Sequence, residues 1–574
     1  MRSPAPFARA GPRPLDFEEV VMSEGRGGNK SPSTGALERE AKERQDRRYE
    51  SNPGYDTLVI GTGMAALTVA ALLAESGQRV CMLEAHDLPG GYVHSFRYGD
   101  FSFCAQIHYI WGCGKGDRIW RFLEKLGLTE DIVFEPLDPD GYDHVILPDG
   151  KRVAIPCGYD RLARNIEAAY PGQGARVRAF TGILDRLTSE VQQLPDSIRW
   201  WQIPTRGWRF LTLLRYRHKT LQQVFDECDL SREAQAVLIA NAGNFMCPPR
   251  DLSILAYNGL FSGYNRGAYY PRKHFKHLID RLVEFITSHS GCHIYYEQEV
   301  TSMVAAGERI ESVRTRDGKV FKAPTIICNA DPRKMSEVIG LEKFPPPYRG
   351  PLNYEYSQTA LTVYLGLRGI DLREHGFGRH NTWHLEQWDM NETWDQEMRQ
   401  DRSRPWVFMA TPSLHTDQPG TCPPGTQILE LATTANYDYF RELRNRDLRA
   451  YRREKKEVED KLIDIVERRH VPNLRQHIVL HLAGSPTTNE DFCWAPRGHS
   501  YGQHLTPVNM GLGRLKATTP WENFYWCNAA SGYPGVNGTI GTGMELYMRL
   551  TGDRFWNPRD APDTATLQSQ LLGR

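Results

Sequence analysis

The alternation of apolar and polar positions is clearest near the two ends of the chain. "YDTLVIG" at 55–61 and "RVCMLEA" at 79–85 are continuous apolar runs, the pattern of strands buried on both faces. Between them "MAALTVAALLAES" at 64–76 is rich in Ala and Leu and stops at Gly77, which predicts a helix. From 292 to 330 apolar positions recur every second residue around Asp317-Gly318, so a small β-meander with a return strand is expected. Near the C-terminus "NFYWCNAAS" at 523–531 reads as a strand and "GYPGVNGTIGTGMELYMRLTG" at 532–552 as a turn leading into a helix that starts near Asn537.

The stretches between these pieces have a different character. Residues 160–193 and 230–242 show helical periodicity, with Leu162, Ile166 and Ala169 on one face, whereas 359–367, 406–412 and 426–434 read as strands. The dense charges of 441–470 suggest a solvated helix. The expected fold class is α/β: a Rossmann-like nucleotide domain with a β-meander, plus a mixed sheet under a helical cap. Its nucleotide part is assembled from 51–116, 271–334 and 506–574, its substrate part from 117–270 and 335–505, and 1–50 form a tail.

The first apolar pair encloses a phosphate turn. Gly61-Thr62-Gly63-Met64-Ala65-Ala66 fits G-x-G-x-x-G/A: Gly61 permits the turn, Gly63 a close approach of pyrophosphate, and Ala66 tight helix packing. The helix start at Met64 and Ala65 offers free N–H groups and a positive dipole end. Glu84 follows Gly63 by 21 residues, where a carboxylate accepts hydrogen bonds from ribose hydroxyls. Gly90-Gly91 come six residues after Glu84, as a second close approach or a plain turn.

Composition removes several function classes. The 574 residues carry 70 Lys+Arg and 70 Asp+Glu, so overall charge gives no reason to expect nucleic acid. The 11 cysteines show neither a C-x-x-C pair nor metal-ligand spacing, which suggests a reducing compartment and no metal. No apolar run reaches the ~20 residues of a spanning helix, and no signal-peptide core is visible, so a cytoplasmic protein, with peripheral membrane contact in view, is expected. Residues 1–50 contain too few large apolar groups to fold alone, and Asp16, Glu18 and Glu19 argue against a transit peptide.

Together, the strand, the glycine turn, Glu84 and Gly90-Gly91 resemble the N-terminal signature of FAD-binding amine oxidase and phytoene desaturase type flavoproteins. "FSFCAQIHYIWG" at 101–112 is similar to the segment that passes the flavin in carotenoid isomerases and retinol saturases, with His108 and Tyr109 matching a His-Tyr pair. Cys104 and Gln106 depart from the family's Asp and Gly. The resemblance implies FAD as cofactor and places Gln106, His108 and Tyr109 on the flavin face as candidate catalytic residues. It implies an adenine contact through the backbone of Val300, and places Asn329 of "CNADP" beside the pyrophosphate. Asn528, Gly535, Val536 and Asn537 fall at the ribityl and ring end. At 263–282 the chain looks like the family's G-x-Y-Y-P-x-G-G segment, but Lys273 and His274 replace the glycine pair, either changing the backbone or carrying chemistry.

The implied activity is that of an FAD-dependent oxidoreductase acting on a hydrophobic, polyene or isoprenoid substrate, with an external electron partner such as a quinone or oxygen. An amine or porphyrinogen oxidase on the same fold is the rival enzyme. A flavin-free prenyl-lipid binder of the Rab escort type is the rival from another class, and Glu84 with Gly90-Gly91 argues against it. One insertion, 199–225, has six Lys/Arg and no acid before Asp226, with Trp200, Trp201, Trp208, Phe210 and Tyr216 interleaved and a stripe of Leu211, Leu214, Leu221 and Phe225. It reads as a bilayer-interface segment or as a cap helix, rather than a nucleic-acid stacking surface.

Ile-Gly-Thr-Gly-Met occurs twice, at 60–64 and 540–544. The expectation is that the first copy forms the phosphate turn, that in the second the turn comes earlier, at Pro534-Gly535-Val536-Asn537, and that both helices aim their N-termini at one FAD. Gly538, Gly541 and Gly543 within the second helix cost about 1 kcal/mol each relative to Ala, which predicts that this helix lies tightly on something flat.

Overall fold

The computed structural model describes residues 45–49, 54–194 and 207–572. Tyr55–Arg574 group into one unit, and before it 45–49 are helical. The tail expected at 1–50 otherwise lies outside the described residues.

The continuous apolar runs become a parallel sheet. Strands β1 (Thr57–Ile60), β2 (Val80–Leu83), β3 (His293–Tyr295), β4 (Thr325–Cys328) and β5 (Phe524–Trp526) lie in the order β3-β2-β1-β4-β5, every pair parallel. This is the mononucleotide-binding arrangement, in which ligands lie beyond the carboxyl ends of the strands. Helix α1 (Met64–Glu75) follows β1 and is buried from Met64 to Ala74, which explains why it is apolar on all sides. Helix α2 (Gly535–Thr551) covers it. The meander is present as Val300–Ala306, Arg309–Thr315 and Val320–Phe321, all antiparallel.

A seven-stranded sheet forms the second layer. Its order is Ile478–Gly484, Thr359–Arg368, Thr426–Ala435, Trp406–Ala410, Asn381–Leu385, Asp143–Ile146 and Arg152–Ile155, with only Asn381–Leu385 and Asp143–Ile146 paired in parallel. The period of two divides its faces. Leu361, Val363, Val407, Met409, Leu429 and Leu431 face a core shared with Leu462 and Val466 of the helix Leu448–Arg469. That helix is therefore half buried, not solvated as its charges suggested: its apolar positions form a stripe that the charge density masks. The intervening residues of the same strands, including Ala360, Thr362, Trp406, Phe408 and Ala432, line a cavity. Helices Tyr159–Ala169, Gly174–Gln192, Arg232–Ile239 and Ile254–Arg266 complete the cap side.

Candidate functional site

The cavity runs from the ends of β1 and β2 to the seven-stranded sheet, and its first part is the glycine turn. Gly63 is the N-cap of α1, and no side chain caps that helix, so its first N–H groups have no intrahelical partners; Met64 and Ala65 line the cavity, whereas Ala66 is buried outside the lining, where its small side chain serves helix packing. The turn is packed at backbone level. A Cβ on Gly91 would lie 3.2 Å from Gly63 Cα, and Gly90 pairs with Gly63 as an isolated bridge. Gly90-Gly91 thus brace the phosphate turn besides lining the cavity.

Glu84, just beyond β2, also lines the cavity. Its Oε2 accepts from Thr62 N at 2.8 Å and from the Thr62 hydroxyl, and its Oε1 accepts from His86 N at 2.9 Å. Burial raises its carboxyl above the usual range. These bonds occupy both lone pairs of Oε2 and leave one on Oε1 for a ribose hydroxyl. Val300 lines the same end, with Gln298 and Glu299.

Asn329 has a structural duty that the motif did not reveal. Its Oδ1 accepts from Gly63 N at 3.0 Å and its Nδ2 donates to Cys527 O at 2.6 Å, tying the glycine turn to β5. The Gly63 N–H is therefore satisfied by protein, and phosphate recognition falls to the residues after it. Asn528 works in the same way: its Oδ1 accepts from Ala530 N and Ser531 N, and its Nδ2 donates to Ala330 O at 3.1 Å. Both asparagines line the cavity while spending their amides on backbone.

Helix α2 begins at Gly535, two residues before the expected start, with Pro534 as N-cap and no side-chain cap. Gly535, Val536 and Thr539 line the cavity. Asn537 does not. It is buried facing the other way, with Nδ2 donating to Trp111 O at 3.1 Å and Oδ1 accepting from Arg118 Nη1 at 2.8 Å. The helix turns it inward because 536 and 537 are about 100° apart on the helix. The flat surface met by the later glycines is protein. A Cβ on Gly543 would lie 2.7 Å from Ala65 O and 2.7 Å from Thr68 Cβ of α1, and one on Gly541 would lie 2.9 Å from Arg118 Nη1.

The three candidates on 106–109 separate in the same manner. Gln106 and His108 line the cavity, whereas Tyr109 does not. Tyr109 is buried against Tyr264 at 4.5 Å between ring centroids, and its hydroxyl donates to Asp143 Oδ2 at 2.9 Å while accepting from Asn244 Nδ2 at 2.7 Å. Gln106, Ile107 and His108 line the cavity in succession, and the chain turns inward at Tyr109, just before the strand Ile110–Trp111. Gln106 Nε2 donates to Asn489 Oδ1 at 3.3 Å. His108 Nδ1 meets Glu430 Oε2 at 2.7 Å, and its ring lies 4.7 Å from that of Phe408.

Glu430 was missed in the sequence, although a signal was there: a single carboxylate in the apolar strand run "ILELA". Lys273 and His274 lie outside the cavity lining. Lys273 pairs with Asp131 at 3.8 Å, and His274 is buried at φ 71°, a left-handed position that glycine adopts without strain. Burial lowers the His274 imidazole to about 4.

The far arm of the cavity is apolar and aromatic. Trp383, Trp406, Phe408, Met246, Ala360 and Ala432 supply it. Of the interface segment, Trp200 and Trp201 and the side chain of Trp208 lie outside the described residues. Leu211 and Leu214 are exposed, at 63% and 45%, whereas Tyr216, Leu221 and Phe225 are buried, so the expected stripe divides between solvent and core.

The two uncapped helix starts, the carboxylate at the end of β2 and the backbone cradle between them fit FAD: α1 for pyrophosphate, Glu84 for ribose, α2 for the ring. Comparison with known proteins agrees. All-trans-retinol 13,14-reductase of Danio rerio is 23% identical over 501 residues, covering 82% of this chain and 81% of that protein. The chloroplastic prolycopene isomerase of Arabidopsis thaliana is 23% identical over 502 residues, covering 84% and 80%. The fold is shared with putrescine oxidase bound to putrescine, at TM-score 0.60 and 13% identity, covering 87% of this chain and all of that one. An oxidoreductase from Methanosarcina mazei superposes at TM-score 0.59 and 14% identity, covering 86% and 99%. The profile described as flavin containing amine oxidoreductase matches residues 64–545, well over half of the chain, so the protein belongs to that family and is an FAD-dependent oxidoreductase.

Proposed function

We propose that this oxidoreductase acts on a hydrophobic, conjugated polyene or isoprenoid substrate by desaturation, saturation or isomerisation. The observation that carries this reading is the apolar arm: of the seven-stranded sheet, Ala360, Thr362, Trp383, Trp406, Phe408 and Ala432 line the cavity, all apolar but Thr362. An extended apolar substrate gains ~25 cal/mol per Å² buried in such an arm. A protonated amine finds no carboxylate there without a partner, since Glu430 is engaged by His108. The names of relatives that act on retinol and prolycopene support the same substrate class.

Bound FAD supplies a two-electron hydride donor or acceptor. The chain's own residues do the rest. Met64 and Ala65 would present N–H groups to phosphate. Glu84 would accept from a ribose hydroxyl. The uncapped start of α2, which lines the cavity, would offer a positive dipole end to negative charge on a reduced ring. The aromatic arm excludes water and orients the substrate.

The test is anaerobic spectroscopy of the FAD-loaded protein. Reduced flavin should be reoxidised by retinol or a carotene, and oxidised flavin should resist bleaching by amines and porphyrinogens. Bleaching by either of those alone would overturn the reading.

A membrane surface as the source of substrate, and a quinone or oxygen as electron partner, belong to the same proposal. Supporting the first, Val191, Leu211 and Leu214 are exposed, and Glu190 accepts from Thr212 N and Leu213 N, joining the two helices that carry them. No helix among the described residues is long and apolar enough to cross a membrane. Liposome flotation of the Leu211→Ser, Leu214→Ser double variant should fall below wild type; equal partitioning rejects the contact.

A further inference from the structure

Glu430 lies on the cavity-facing side of the strand Thr426–Ala435, between Leu429 and Leu431, which face the other core. Its side chain is 1% exposed. The residues beside it in the sheet are Tyr364 and Ala410, neither of which offers a charge. A carboxylate buried in such surroundings costs several kcal/mol unless it is paired. The group that pairs it is His108, through Nδ1 at 2.7 Å. His108 lines the cavity, and its second nitrogen, Nε2, makes no hydrogen bond among the described residues. Phe408 packs on the ring at 4.7 Å and limits its rotation. One nitrogen is therefore held by a buried acid while the other remains available to whatever occupies the aromatic arm.

We propose that His108 and Glu430 form an acid–base dyad in which His108 Nε2 transfers a proton to or from a substrate carbon and Glu430 positions the ring. This rests on the oxidoreductase reading above. In the saturating direction, one alkene carbon forms a C–H bond with hydride from reduced flavin, and the adjacent carbon forms a C–H bond with the proton of His108. The π bond is lost, the flavin is oxidised, and His108 regains its proton from solvent. Desaturation is the reverse, with His108 as the base and the flavin reduced. His108 is the catalytic residue of the pair and Glu430 the positioning residue, the same division of labour by which a buried carboxylate fixes an imidazole tautomer in hydrolases.

Two measurements test the dyad, one of them independent of cofactor and substrate. In ¹⁵N-histidine spectra of the FAD-free protein, the His108 signals are assigned by their loss in His108→Gln. Wild type should show a protonated Nδ1, and Glu430→Gln should shift the proton to Nε2, because the carboxamide can donate to Nδ1. An unchanged Nδ1 signal overturns the pairing even if no polyene proves to be a substrate. In the FAD-loaded protein in D₂O, the saturated product should carry a solvent deuteron on the carbon that His108 protonates, besides the one delivered as hydride from the exchangeable N–H of reduced flavin. His108→Gln should slow flavin reoxidation by the polyene by about 100-fold, with substrate binding, read by tryptophan fluorescence, unchanged. Glu430→Asp should retain more of the rate than Glu430→Gln. Reoxidation in His108→Gln within about 3-fold of wild type would overturn the catalytic role.

Discussion

At 60–64 the residues Ile-Gly-Thr-Gly-Met cross from the end of β1 through a turn to the first residue of α1; at 540–544 the same five residues lie inside α2. The first copy exposes its backbone to the cavity. The second uses its missing side chains to let α2 settle onto α1, with Gly543 over Ala65 and Thr68 and Gly541 beside Arg118. The two copies therefore meet: the residue following the first pentapeptide is the one against which the second packs. Local context decided each role, since β1 feeds the first copy from an extended strand while Pro534 has already started a helix before the second. Glycine in a helix is unfavourable by itself, and tertiary contact between the helices offsets that cost.

Substitutions sharpen the difference. The largest effect is expected for Gly63→Val, whose Cβ would stand 2.4 Å from Asn329 Oδ1 and crowd the phosphate turn. FAD affinity should fall about 100-fold or more, ~2.7 kcal/mol, measured by recovery of flavin fluorescence on dilution. Gly543→Val comes next: it drives side chain into the backbone of α1 and should cost ~3 kcal/mol of stability, read as a lower Tm in the FAD-free protein. If Gly543→Val instead released FAD with no change in the Tm of that protein, the helix-packing role would be wrong. Asn329→Ala leaves the Gly63 N–H and Cys527 carbonyl without their partner and should cost ~1–3 kcal/mol by denaturant unfolding. The smallest effect belongs to Gly541→Ala, where gained helix propensity of ~1 kcal/mol works against displacement of the Arg118 guanidinium. A net change below that size is expected, with FAD affinity unaltered in a direct titration.

The nucleotide side was legible because its signals are local. A strand, a glycine turn and a helix follow one another without interruption from 57 to 75, and Gly61, Gly63 and Glu84 are read by spacing alone. The substrate side was legible only in outline. The strands at 359–368, 406–410 and 426–435 were visible from their apolar runs, but a run apolar on both faces does not say which face meets a core and which a cavity. Glu430 was conspicuous within its strand, yet its partner lies 322 residues away. Tyr109 and Asn537 look like site residues by position in a motif and are turned into the core one residue beyond a neighbour that lines the cavity. The helix Leu448–Arg469 was masked by its own charges, and Leu462, Val466 and their neighbours show the stripe only once the sheet beneath them is known.

What the sequence by itself determined is the set of short-range decisions: where strands end, where helices start without caps, and which backbone can approach a phosphate. These depend on the torsional freedom and hydrogen-bonding capacity of adjacent residues, which a linear order already contains. Tertiary structure alone decided which side chains share a volume. His108 with Glu430, Asn329 with Gly63, and Gly543 with Ala65 are each brought together by segments hundreds of residues apart. Burial imposed those pairings, because a buried carboxylate, a buried N–H and a buried helix surface each require a partner that no nearby residue supplies.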